Sequence, residues 1–107
     1  MRVWVHAELR DDKNSPVACE LGRWATFDAL PRVGEDIFWS DGNYPGWSMK
    51  VSQVEHFLQP GEDEAIVRLI LRDEDCGEMG VDGWHCYRDW LVEAGFRLTD
   101  RLWETDE

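Results

Sequence analysis

The sequence predicts an α+β domain that is mostly β: a small antiparallel five-stranded barrel, Src-homology-3-like, with one C-terminal helix and a short last strand. Three observations predict it. Apolar residues alternate with polar ones over 1–10, 47–58 and 64–72, the period of half-buried strands. Turn residues separate these runs at short intervals. Over 84–94 the apolar spacing changes from two to that of a helix. A chain of 107 residues is enough for one domain and one core. The predicted division is a β barrel over 1–72, then an acidic loop, helix and terminal strand over 73–107.

Each element has its own reason. In the first strand Val3, Val5, Ala7 and Leu9 face one way, and Arg2, Trp4, His6, Glu8 and Arg10 the other. The run D-D-K-N-S-P at 11–16 is a turn. A second strand follows over 17–29 through Val17, Cys19, Leu21, Trp24 and Phe27, with a bulge expected where Gly22 breaks the phase. Pro31 and Gly34 mark a tight connection into a short strand at 37–40. D-G-N-Y-P-G at 41–46 is the strongest turn signal in the chain. The strand over 47–58 changes phase near Ser52-Gln53, which predicts a second bulge. After P-G-E-D at 60–63, the strand at 64–72 is apolar on both sides, because Ile66 and Ile70 add to Ala65, Val67, Leu69 and Leu71. It is expected to be covered on both faces, the helix lying over one barrel end or over the face marked by Ile66 and Ile70. Asp82 is placed to cap that helix, Trp84, Tyr87, Leu91 and Ala94 form its packed face, and Gly95 ends it. Phe96 to Trp103 form the last strand.

The charge narrows the function. There are 23 acidic residues against 11 basic ones, a net charge of −12. That excess opposes direct binding to nucleic acid or an anionic membrane. No run approaches the ~18 apolar residues of a membrane helix, and the N-terminus lacks the apolar stretch of a signal peptide. The three Cys, at 19, 76 and 86, are odd in number and irregularly spaced, which reads as a reducing cytoplasm and no disulfide framework.

The segment from Leu30 to Leu71 carries L-P-R-V-G-E-D-I and then V-S-Q-V-E-H. With Pro31, Val33, Gly34, Glu35 and Ile37, then Val51, Val54 and His56, it resembles small uncharacterised phage and bacterial β proteins. Those carry P-x-V-G-[DE]-x-[IV] and V-x-x-V-x-H as a barrel meander. The resemblance spans about two-fifths of the chain. It implies a β fold and an origin in a phage or mobile element, and it assigns no activity.

Catalytic and metal patterns are weak. Cys76, His85 and Cys86 lack the paired C-x-x-C or H-x-x-x-H spacing of structural zinc. Asp73 and Asp75 open like a calcium loop, but Glu78 and Trp84 stand where Gly and Glu are required. Ser40, Ser48 and Ser52 have no nucleophile-elbow context, and Cys86 next to His85 is a poor nucleophile–base geometry on a helix. No phosphate-binding glycine loop occurs. The expectation is a protein that is not an enzyme and holds no cofactor and no metal.

The charge is unevenly spread. Residues 73–107 hold eleven acids and three bases, and residues 1–72 hold twelve acids and eight bases. The expected partner-binding surface is therefore Asp73, Glu74, Asp75 and Glu78, extended along the helix by Asp82, Asp89 and Glu93. Carboxylates on a rigid scaffold can stand where DNA phosphates would, and occupy a partner's Arg and Lys. The leading expectation is an acidic inhibitor from a phage or mobile element. It would block the basic nucleic-acid-binding surface of a host defence nuclease or CRISPR effector by DNA mimicry. An immunity or antitoxin protein capping a toxin nuclease has the same physics with another partner. A phage structural or assembly protein, acidic for solubility alone, is the third class.

Overall fold

The structure, a computed structural model, describes residues 2–11, 15–39, 47–58, 61, 65–72 and 84–104. The elements run β1 (Arg2–Arg10), β2 (Val17–Thr26), β3 (Asp36–Trp39), β4 (Trp47–Phe57), β5 (Ile66–Arg72), α1 (Trp84–Glu93) and β6 (Arg97–Leu98). Among the described residues the protein is mostly β with one helix. Its six strands form one mixed sheet in the order β3-β4-β5-β1-β2-β6.

That sheet is open, which corrects the expected barrel. A hairpin, β1–β2, and a meander, β3–β4–β5, lie side by side and join through a parallel pairing of β1 with β5. With β1 and β5 in the middle, β3 and β6 are left at opposite edges and do not meet to close a cylinder. β6 runs antiparallel to β2, hence in the direction of β5. The chain from β5 through α1 to β6 is thus a crossover past β1 and β2. α1 packs on those two strands, on the face opposite to that of Ile66 and Ile70, so it takes neither of the two expected places, a barrel end or the Ile66–Ile70 face.

The core lies between sheet and helix. Val3, Val5, Ala7 and Leu9 of β1 meet Leu21, Met49, Val51, Val67, Leu69 and Leu71 from neighbouring strands. Leu91 of α1 and Phe96 beyond it close the layer. β5 is covered on both faces as expected, with Ile70 buried on one and Leu69 and Leu71 on the other.

The two bulges divide. The register of β4 against β5 shifts between Val51 and Gln53, where the sequence predicted it. The bulge expected at Gly22 is absent: Gly22 pairs in register with His6, and the shift in this hairpin falls at Leu9/Arg10. Gly22 has a different reason to be glycine. The Trp4 ring lies directly on it, and a Cβ there would sit 2.1 Å from a ring carbon.

The C-terminus of α1 follows its sequence signal. Gly95 takes φ +95°, its N–H donates to Val92 O, and the Phe96 N–H donates to Leu91 O. This is the Schellman arrangement, and it drives Phe96 into the core beside Leu91. The Arg23 guanidinium donates to the Ala94 carbonyl, placing a cation on the negative end of the helix dipole. Arg23→Met is expected to cost about 1–2 kcal/mol in urea unfolding. An unchanged midpoint would show that the cap carries no stability. No helix among the described residues is long and apolar enough to cross a membrane.

Candidate functional site

Two features are candidates: the acidic surface expected from the sequence, and a polar cluster on the second face of the sheet.

Of the acidic surface, Asp73, Glu74, Asp75, Glu78 and Asp82 lie outside the described residues, as do Cys76 and the side chains of Trp39, Trp47 and Cys86. Asp89 and Glu93 are described, and both are exposed on α1. Four residues apart, they share one side of the helix, away from the buried Leu91. Asp89 Oδ1 accepts from Arg88 Nη2 at 3.2 Å. Glu93 is the last residue of α1, where a negative charge faces the negative end of the dipole. Its charge therefore works against the helix that carries it. Sequence reasoning passed over Asp28, Glu35, Asp36 and Asp100, which are also exposed.

Several basic side chains have partners within the fold. Arg68 Nη2 donates to Glu55 at 2.5 Å and Arg72 Nε to Glu8 at 2.9 Å. Lys50 meets Asp36 at 3.3 Å, and Arg10 donates to the Ser15 carbonyl. Arg23 caps the helix, and Arg2 lies 4.0 Å over the Trp24 ring. Arg68 and Arg72 thus spend their charge on half-buried Glu55 and Glu8, while Arg2, Arg32, Arg97 and Arg101 are exposed alongside Asp28, Asp89, Glu93 and Asp100.

The polar cluster comes from the side of β1 that alternation had marked as its polar face. Trp4 and His6 are buried there, 1% and 2% exposed. Trp4 therefore belongs to the interior, under neither solvent nor helix, and it meets Trp24 edge-on at 5.3 Å. Glu8 stands two residues after His6, and Glu20 is directly opposite Glu8 on β2. Ligand atoms of His6, Glu8 and Glu20 all lie within 4.8 Å of one another, close enough to share an ion.

The protons argue against an ion. The Trp4 Nε1–H, a donor only, points at His6 Nδ1 from 3.4 Å. His6 must then accept there and carry its proton on Nε2, which donates to Glu20 Oε1 at 3.2 Å. A metal at Nε2 would push that proton onto Nδ1, against the Trp4 N–H. Two like charges facing across strands need a cation, and Arg72 and Arg10 already approach Glu8 at 2.9 and 3.9 Å. The cluster is therefore a polar network that already holds its own cations. Saturating zinc or excess chelator is expected to move Tm by less than ~2 °C; a larger shift in either would show a bound ion.

Cys19 is the free thiol among the described residues. Burial pushes it above the ordinary thiol range, Arg88 opposing and Glu20 adding to the effect, so it stays protonated and unreactive at neutral pH.

Compared with known proteins, the chain matches no family model, no curated protein and no solved structure.

Proposed function

We propose that this chain is an acidic protein-binding inhibitor that occupies the basic, nucleic-acid-binding surface of a host defence nuclease or CRISPR effector. It performs no chemistry: its carboxylates take the places of DNA phosphates and engage the partner's Arg and Lys. The resemblance of its Pro31–Ile37 and Val51–His56 segments to phage and bacterial β proteins agrees with an origin in a phage or mobile element.

The observation that carries this reading is the division of charge. A net charge of −12 is a cost to a compact fold, because the charges repel one another. Here Arg68 and Arg72 pair with the half-buried Glu55 and Glu8, and Arg10 and Arg23 donate to backbone carbonyls, while Asp28, Asp89, Glu93 and Asp100 stand exposed. Glu93 adds a sharper point, since its carboxylate stands where the helix dipole disfavours it. Folding alone supplies no reason for that charge; a basic partner does. The scaffold beneath is a sheet with buried residues on both faces.

The test is capture with competition. The tagged protein is immobilised, exposed to host lysate, and eluted with duplex DNA or with neutral dextran. A nucleic-acid-binding protein released by DNA and retained by dextran is the expected result. Captured proteins that ignore DNA would overturn the reading.

A further inference from the structure

Among the described residues His6 is the one buried polar or charged residue, and the proposed function makes no use of it. Its surroundings suit one protonation state. The Trp4 Nε1–H donates to its Nδ1 at 3.4 Å, and its own Nε2–H donates to Glu20 Oε1 at 3.2 Å. An indole nitrogen is a donor only, so the first of these bonds exists while Nδ1 carries no proton. Imidazole is the side chain that ordinarily gains its second proton between pH 8 and pH 5. On Nδ1 that proton sets donor against donor, and the buried Trp4 N–H loses its acceptor.

The groups around the ring decide where it turns. On β1, Glu8 has a carboxylate oxygen within 4.8 Å of the His6 ligand atom, and Arg10 lies 3.9 Å from Glu8. On β2, Glu20 already accepts from Nε2. β5 sets Ile70 opposite His6 and brings Arg72 to Glu8, and its Arg68 is held by Glu55 of β4. Gln53 of β4 accepts from Arg72. Arg97 of β6 is exposed and stands opposite Gly22, itself the partner of His6. An imidazolium therefore has carboxylates to turn to, Glu20 first and Glu8 next, and no acceptor on the Trp4 side.

Trp4 passes the change on. Its ring rests on Gly22 and meets Trp24 edge-on at 5.3 Å. The Trp24 Nε1–H donates to the Glu104 carbonyl at 2.8 Å, and the Thr99 N–H donates to the Glu20 carbonyl at 3.0 Å. Residues 99–104 are thus tied to Glu20 and Trp24, the two β2 residues that His6 and Trp4 touch.

We propose that His6 is a proton-operated catch for this C-terminal segment. Neutral, it holds the Trp4 indole, and Glu20 and Trp24 hold the segment on the sheet. Protonated, it turns to Glu20 and Glu8, and Trp4 shifts against Trp24. The segment then opens while the core stays folded. The device is independent of the acidic outer surface, and either reading can fail without the other.

Hydrogen exchange in the intact chain tests it, with a chelator present so that no metal takes part. Rates are converted to protection factors, which removes the intrinsic pH dependence of exchange. Between about pH 7.5 and about pH 5.5, protection of the Trp4 and Trp24 indole N–H groups and of the Thr99 amide should fall about tenfold or more. The core amides of Leu69 and Leu71 should change less than about twofold. Constant protection at Trp4, Trp24 and Thr99 overturns the proposal, as does a loss shared equally by Leu69 and Leu71. His6→Asn keeps an acceptor near the Nδ1 position without a titrating ring, and Trp4→Phe keeps a ring without the N–H. Each should abolish the pH dependence at Trp24 and Thr99. His56→Gln and His85→Gln, both at exposed positions, should leave it intact. Persistence in Trp4→Phe or His6→Asn, or loss in either exposed-histidine variant, overturns the proposal as well.

Discussion

Gly22→Ala is expected to lower stability by about 3 kcal/mol, a fall in Tm of roughly 10–20 °C for a domain of this size. The cause is local and steric. An added Cβ would lie 2.1 and 2.6 Å from two Trp4 ring carbons, well inside contact distance. The ring has little room to retreat: it is 1% exposed and meets Trp24 edge-on at 5.3 Å. Moving it would also draw its Nε1–H from His6 Nδ1 and leave buried polar atoms without partners. The backbone here is ordinary paired strand, so conformation alone does not demand glycine. A double-mutant cycle isolates the contact. Trp4→Leu removes the ring and destabilises by itself, but adding Gly22→Ala to it should cost less than 1 kcal/mol, because the collision is gone. Urea midpoints at constant m-value measure both. A Gly22→Ala protein as stable as its parent would mean that the ring does not rest on this backbone.

Gly22 also illustrates what the sequence could and could not convey. Alternation marked every long strand, because a strand's two faces differ in solvent exposure and the side-chain period is two. The phase change near Ser52-Gln53 was legible as a bulge for the same reason. Gly95 was legible because few residues other than glycine adopt its backbone angle after a helix. Gly22 was misread because a missing side chain looks alike whether it marks a bulge or a hollow; the ring filling that hollow is eighteen residues away, on β1. The open sheet was illegible for a related reason. Hairpins follow from adjacent runs, but the parallel join of β1 to β5 is a contact between distant segments that alternation does not encode. His6 and Glu8 looked like solvent-facing residues of a half-buried strand. They sit instead in a network completed by Glu20, Arg72 and Gln53 from β2, β5 and β4. Of the acidic surface, composition conveyed sign and placement along the chain. It did not convey that Arg68, Arg72, Arg10 and Arg23 have partners within the fold.

Reversing Asp73, Glu74 and Asp75 to Lys is expected to weaken association with the basic partner by roughly 100-fold or more, because each reversal turns attraction into repulsion at contact range. Asp89→Lys with Glu93→Lys tests the described part of the same surface and should act in the same direction. Association of the unaltered protein should fall steeply with added salt, since the screening length drops from ~8 Å at physiological ionic strength to ~3 Å at 1 M. The effect on folding should have the opposite sign. Three reversals add two charges each and bring the net charge from −12 to −6, which reduces self-repulsion. Glu93→Lys further places a cation at the C-terminal end of α1, where the dipole favours it. These variants should therefore unfold at equal or higher urea concentration while binding worse. That split separates a binding surface from a structural one, because a residue kept for stability would lose both together. The hairpin-turn cluster Glu62, Asp63 and Glu64 is the control, and its reversal should cost far less affinity. If it abolishes binding while the first set does not, the partner docks at the β4–β5 turn. If neither set changes affinity, the carboxylates serve solubility, and the inhibitor reading fails.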